Sequence, residues 1–345
     1  MSVYTNNFFG LDIGFTGIRL VQLYRRKNSF DLIAAGSLPN NIDLYTTDDP
    51  QKRAKLIATI QQLVRETAVK THFVALALPE RQVHTHFLEF PLMPSEKIEQ
   101  TIRWEAESLI PIPLEDVEMD WTVIDNYEKK NSLGVFLCAA AKTKVQNLLS
   151  IVEQSGLSPI LLESSLVSCS RAIGSNIQPD KPCVLLSIGH SNSEIAIIHQ
   201  GVMKETRNIP LGGESLTQNL VSQLGLEWDL AEKAKINFDK IKDEVGIQIG
   251  KIVDDFNKNL SDEIKRSVQY FKEKREDIQI DQSIICGRSV LLPHFLEGIQ
   301  ANLPAMQVVI GNSWKSVQQS DAITRNSKGV EHGFGIALGL AMRKM

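Results

Sequence analysis

The chain has 345 residues, 43% of them hydrophobic and 23% charged, with a net charge of -4. That length suits roughly two domains, and the composition is that of a globular protein rather than a disordered one. The charge leaves no electrostatic footprint for nucleic acid.

Phe8 to Ile13 is apolar apart from Gly10 and Asp12, which predicts a strand buried on both faces and ending near an acid. Gly14 and Gly17 bracket a turn that lets backbone approach a ligand closely; Thr16 adds a hydroxyl and Arg19 a positive charge. Ile18 to Leu23 resumes as a strand. Such a hairpin can cradle phosphates with N–H groups and hold a metal through Asp12. It can equally be an ordinary hairpin with Asp12 in solvent.

Ser29 to Leu38 reads as a third strand, Lys52 to Thr67 as a helix with an apolar stripe, and Phe73 to Leu78 as a buried strand stopped by Pro79. From Glu80 the character changes to strand, helix, strand, strand, helix: Val83–Phe90, a helix opened by Pro94 with Ser95 as N-cap, Val117–Ile124, Leu133–Ala141 after a polar turn at 126–132, and Lys142–Gln154 closed by Gly156. That is an α+β module inserted into the first domain. Ile160 to Ile173 is expected as the return helix.

Cys183 to Ile198 repeats the opening pattern, Gly189 standing where Gly14 stood, with Ser191, Asn192 and Ser193 in its turn. Val202 to Ile209 is a strand. Gly212, Gly213 and Glu214 lead into a helix whose first N–H groups are expected to be free for an anion or a ribose. Glu232 and Lys235 share one face of the next helix. Ile249 to Phe271 steps by threes and fours along a long core-facing helix. Gln279–Cys286 runs as a strand into Gly287, Arg288 and Ser289, with a helix from about Leu291. Met306–Ile310 is a short strand, and Gly329–Met342 a closing helix.

Cys138, Cys169, Cys183 and Cys286 have no CxxC pairing or metal-ligand spacing; Cys138, Cys169 and Cys183 lie in apolar or small-residue runs, so reduced core cysteines there and a reducing cytosol are expected. No signal peptide or membrane-spanning run is read from the sequence, and there is no HExxH pair, nucleophile elbow or Walker A loop.

Two phosphate-type hairpins, a Gly-Gly-acid turn, an acid–Lys pair and a late strand–glycine turn occur in the order of the actin/Hsp70/sugar-kinase superfamily. Within it the chain resembles the PilM family of type IV pilus assembly proteins, relatives of the division protein FtsA. Gly10-Leu11-Asp12-Ile13-Gly14, Arg103-Trp104-Glu105-Ala106-Glu107 with the exit Pro111-Ile112-Pro113, and Ile209 to Thr217 carry the likeness. The resemblance implies an α/β, actin-like (ribonuclease H-like) two-domain fold with an inserted FtsA-like α+β subdomain. The expected divisions are 1–80 completed by 157–180 and 329–345, the insert at 81–156, and a second domain at 181–328 with a small subdomain near 226–250.

It further implies a cytoplasmic scaffold, peripheral at the inner membrane, that binds ATP or ADP with Mg2+ and docks on the cytoplasmic N-terminal peptide of a PilN-like membrane protein. Membrane contact comes only through that partner, and self-association is open. Asp12, Gly14, Thr16, Gly17 and Arg19 match the first phosphate loop, with Asp12 nearest the metal. Gly189, Ser191, Asn192 and Ser193 match the second. Gly212, Gly213 and Glu214 match the turn beside the nucleotide, Glu232 and Lys235 the ribose side, and Gly287, Arg288 and Ser289 the adenine side. Arg103, Trp104 and Glu107 are the partner-binding residues, the insert forming one wall of a peptide groove.

Three departures bear on activity. Ser187 stands where hydrolysing relatives carry Asp, Phe15 replaces a small residue, and Cys286-Gly287-Arg288 replaces a run of glycines. Slow or absent ATP hydrolysis follows, since phosphoryl transfer depends on positioned metal and water. The rivals are a true ATPase or sugar-kinase-like enzyme using Asp12 and Glu163, and an FtsA- or MreB-like filament protein that binds membrane directly. The plain reading of Glu163 is a helix-start acid. The chain ends just after the closing helix, which speaks against an amphipathic membrane tail.

Overall fold

Asp12 lies directly opposite Arg19 because β1 (Phe9–Gly14) and β2 (Gly17–Arg25) pair antiparallel, with Gly14 opposite Gly17 at the turn. Phe9, Leu11, Ile18 and Leu20 are fully enclosed, which fixes this hairpin in the middle of a sheet. A computed structural model describes residues 7–27, 29–124, 132–178, 181–274, 278–318 and 331–344. Positions 126–131 of the polar turn expected at 126–132, and 329–330 of the closing helix expected from Gly329, lie outside the described residues; the closing helix begins only at Gly335, after a 3-10 turn at Glu331–Gly333.

In chain order there follow β3 (Phe30–Leu38), α1 (Pro50–Thr67), β4 (Phe73–Leu78), β5 (Val83–Pro91), α2 (Ser95–Leu109), β6 (Val117–Ile124), β7 (Ser132–Ala141), α3 (Lys142–Gln154), β8 (Ser158–Ser164) and α4 (Ser165–Ala172). The second half adds β9 (Cys183–Ile188), β10 (Ser193–His199), β11 (Val202–Ile209), α5 (Gly213–Leu224), α6 (Trp228–Asn237), α7 (Glu244–Lys274), β12 (Gln282–Gly287), α8 (Phe295–Asn302), β13 (Gln307–Ile310), the short β14 (Val317–Gln318) and α9 (Gly335–Ala341).

The first sheet runs β14-β3-β2-β1-β4-β8, and the second-half sheet runs β11-β10-β9-β12-β13. Leaving out β14, both place their first strand centrally. In each, two antiparallel neighbours lie on one side and two parallel ones on the other. The internal repeat is therefore structural. Between the halves a three-stranded antiparallel sheet, β5-β7-β6, carries α2 on one face through Ile102 and Ala106. Helix α3 instead buries Val145, Leu148, Ile151 and Val152 with Leu11, Ile60 and Leu76, so it packs with the first sheet. Helix α7 buries Ile249, Val253, Phe256, Leu260 and Ile264 on the second-half sheet, each contributing roughly 1.5–3 kcal/mol.

Three local expectations are corrected. Residues 158–164 form a strand, not the start of a helix, because they pair parallel with β4 from Phe73 to Leu78. The helix begins at Ser165, where the Ser164 hydroxyl accepts the N–H groups of Leu166 and Val167. Pro94 rather than Ser95 occupies the cap position of α2, and the Ser95 hydroxyl bonds Glu96 instead. The helix expected at Leu291 is delayed to Phe295, because Pro293 disfavours helical backbone at Leu292.

Candidate functional site

The turn after β1 and the turn after β9 face one another across a cavity of about 350 Å3 between the two halves. Of the residues expected there, Asp12, Gly14, Thr16, Arg19, Gly189, Ser191, Asn192, Gly213, Glu232, Lys235, Gly287, Arg288 and Ser289 line it. Gly17, Ser193, Gly212 and Glu214 do not. Ser193 is fully buried and donates its hydroxyl to the Leu211 carbonyl at 2.6 Å.

Asp12 is 9% exposed and its Oδ2 meets Arg19 Nη1 at 3.3 Å; Arg19 also reaches the Gly17 carbonyl and the Thr16 hydroxyl. Burial pushes the Asp12 carboxyl above its ordinary value, against the opposing pull of Arg19. The Asn40 side chain pins the first turn by donating to the Gly14 carbonyl at 2.9 Å. The second turn closes through Gly189 N–H to the Asn192 carbonyl.

The N-terminus of α5 is not free for an anion, contrary to expectation. Gly213 and Glu214 donate their N–H groups to the carbonyls of Gly189 and His190 at 3.1 and 2.8 Å, and Gly212 donates to the Ser215 hydroxyl. These bonds fasten the second turn to α5. Lys235 in turn fastens α6 to α5, donating to the Gly213 carbonyl, to Thr217 and to Glu232 at 3.1, 2.7 and 2.6 Å. Burial opposes ionisation of Glu232, but the hydrogen bonds from Lys235 and Thr217 outweigh it and hold the carboxyl below its ordinary range.

Gly287 has φ +104, and a Cβ there would lie 2.2 Å from the Ile188 carbonyl oxygen, so only glycine lets β12 pass β9 at this point. Arg288 follows it into the cleft with no hydrogen-bond or ion-pair partner among the described residues. Burial and the nearby Arg19 lower its pKa.

Glu163 is not in the cleft. Arg171 holds both its oxygens at 2.6 and 2.8 Å, Ser168 donates at 2.7 Å, and Arg343 stands 3.7 Å away. An acid held this way serves the packing of β8, α4 and the chain end, which removes the structural basis for a water-positioning role. It lines a second cavity of about 420 Å3 between β8, α3 and the β6–β7 face. Both β8 and β6 are edge strands. Trp104 is 75% exposed on α2, off the buried Ile102–Ala106 face, beside an exposed Arg103–Glu99 pair; Glu107 is exposed too, and none of the three lines this groove.

A family model described as type IV pilus assembly protein PilM matches residues 10–345. The chain belongs to the PilM family.

Other comparisons set this PilM-family chain among actin-like proteins. A solved structure described as "PilM-PilN type IV pilus biogenesis complex" is 23% identical and superposes with a TM-score of 0.84 over 99% of each chain. The ethanolamine utilization protein EutJ from Carboxydothermus hydrogenoformans is 15% identical, with a TM-score of 0.58 over 97% of this chain and 88% of that one. MreB 5 of Spiroplasma citri, bound to AMPPNP, is 12% identical, with a TM-score of 0.51 over 97% and 95%. These likenesses show the fold, which is actin-like. Among curated relatives, the cell division protein FtsA of Bacillus subtilis is 28% identical over 38% of this chain and 33% of its own length. FtsA of Enterococcus hirae is 22% identical over 68% and 58%. The alignments thus span only a third to somewhat over half of those relatives.

Sequence reasoning missed two acids. Glu194 lies in the cleft directly across the strand pair from Ser187. It accepts the Glu80 backbone N–H at 2.9 Å and the Ser165 hydroxyl at 3.1 Å. Burial, helped by the neighbouring Glu80, pushes the Glu194 carboxyl up to about 7. Burial raises Glu80 as well, against hydrogen bonds from Ser164, Thr85 and Thr206. The alternation of β10 put Glu194 on the same face as Ala196 and Ile198, which was the available signal.

Proposed function

We propose that this chain is a nucleotide-binding scaffold of the type IV pilus assembly machinery, with ATP or ADP in the cleft and an extended partner peptide in the groove. The observation that carries the reading is the pair of facing turns, on two sheets of one topology, around a cleft lined by Asp12, Arg19 and Arg288. Family membership and the AMPPNP bound to the MreB neighbour support it. Arg19, beside the first turn, supplies positive charge for phosphates, while Lys235 and Arg288 stand on the proposed ribose and adenine sides.

The donor set suits Mg2+ better than a metal cage. Among the described residues no group of three or more His, Cys, Asp or Glu side chains comes together. Mg2+ commonly binds through one or two carboxylates plus the phosphates of its nucleotide. Asp12 would be that carboxylate, released from Arg19 as Arg19 turns to phosphate. Binding without rapid turnover is the reading, since Ser187 brings no second acid.

The partner is read as the cytoplasmic peptide of a PilN-like inner-membrane protein. Likeness to the chain solved in a PilM-PilN complex and the geometry of the groove support it. Two edge strands offer unpaired main-chain groups, and the apolar Leu149, Leu162 and Met119 offer side-chain pockets between them. Membrane recruitment is proposed to run through this peptide, and among the described residues no helix is long and apolar enough to cross a membrane. Trp104 would anchor more of the partner on the outer face of α2.

The test is fluorescence anisotropy of a labelled partner peptide with the whole chain. Saturable binding is expected, weakened more than tenfold by Leu149→Glu and by ~2 kcal/mol in Trp104→Ala, with nucleotide affinity unchanged in both. Undisturbed binding in Leu149→Glu overturns the groove, and undisturbed binding in Trp104→Ala overturns the anchor.

A further inference from the structure

The two turns that flank the cleft bring a pair of rings together. Phe15 stands at the tip of the first turn and His190 at the tip of the second. Their ring centroids are 4.4 Å apart and their planes 8° from parallel. Phe15 is 39% exposed and belongs to none of the described core clusters. Core packing therefore does not account for a phenyl on this turn, where close approach of backbone to ligand favours small residues. The ring across the cleft does account for it.

His190 is held from behind. Its carbonyl accepts the Glu214 N–H at 2.8 Å, and its Nε2 lies 3.5 Å from Glu214 Oε1. The backbone bond ties the second turn to the start of α5, so the imidazole is carried by the second half and the phenyl by the first. The Asp12–Arg19 pair and Lys235 line the same cavity.

We propose that Phe15 and His190 form an aromatic latch between the two halves, which closes the turns over the phosphate end of a bound nucleotide and slows its release. The proposal rests on the nucleotide reading of the cleft. Because the two rings belong to different halves, any motion that widens the cleft must separate them, and the loss of their contact opposes that motion. Nucleotide leaves only as the rings part, so the latch sets a dissociation rate.

The test has two arms on the intact chain. In the first, with no nucleotide present, amide hydrogen exchange is followed at 189–193. Phe15→Ala is expected to speed exchange there, on the half that carries no substitution, while Phe15→Tyr keeps the wild-type rate. In the second, release of a fluorescent ADP is followed by chase with unlabelled ADP. Phe15→Ala and Phe15→Leu are expected to release it about two- to tenfold faster, the range a ring pair contributes, and Phe15→Tyr at close to the wild-type rate. Unchanged exchange at 189–193 in Phe15→Ala overturns the latch without reference to any ligand. Unchanged release in Phe15→Ala, or wild-type release in Phe15→Leu, overturns its aromatic role in holding nucleotide. A wild-type chain that gives no ADP signal overturns the nucleotide reading instead, and the exchange arm still judges the contact.

Discussion

Ser187 and Glu194 face each other across β9 and β10, and together they define how the second turn differs from the first. A serine stands at the strand end, and the nearest carboxylate in that hairpin is spent on the Glu80 N–H and the Ser165 hydroxyl. That arrangement leaves Asp12 without a second free acid across the cleft. Steady-state phosphate release from ATP is expected to stay below ~1 per second, the low end of ordinary enzymes. A coupled phosphate assay that reads well above it contradicts the scaffold reading.

Glu194 also gives stability a pH dependence. Its ordinary value is 4.5, and burial raises it to about 7. Below about pH 4.5 the carboxyl is protonated in the folded and unfolded chain alike and costs nothing. Between there and about pH 7 the unfolded chain sheds a proton that the folded chain keeps, so stability falls as pH rises and then levels off. Glu194→Gln mimics the protonated form. Urea unfolding should find it more stable than wild type at pH 8 by ~2 kcal/mol, after discounting for partial exposure to the cleft, and by nothing at pH 4.5. An equal difference at both pH values contradicts the assignment.

Elements with a strong local pattern were legible from the residues. The residues alone place β4, β6 and α3 at their observed bounds, because alternation, an apolar run and a glycine stop each act locally. β8 was not legible, since Ile160, Leu161 and Leu162 suit a helix until β4 is there to pair with them. The same limit applies to α3, expected as the last helix of the 81–156 insert yet packed on the first sheet, and to the N–H groups of α5, which are taken by carbonyls of a distant turn. The exposed face of α2 was legible: helical spacing alone puts Trp104 off the buried stripe, and it is 75% exposed. The groove between β8 and β6 could not be read, because its walls come from strands that share no hydrogen-bonded neighbour.

For the whole molecule, the repeat was legible because both hairpins reuse one residue pattern, and the matching strand orders follow from it. What the halves do to each other was not. The Glu80–Glu194 bond joins residues 114 apart, and the Phe15–His190 contact depends on how the two turns face. Nothing in either local stretch encodes such a meeting. In the reading proposed above, this facing arrangement binds nucleotide through Asp12 and Mg2+. It is tested most directly by isothermal titration of ATP into the chain and into Asp12→Ala, each with excess Mg2+ and with a chelator. Saturable one-to-one binding that tightens with Mg2+ is expected, with a loss of at least about tenfold, ~1.4 kcal/mol, in Asp12→Ala that the chelator largely erases. Equal affinity in the two proteins with Mg2+ present, or no saturable binding by the wild type, would contradict it.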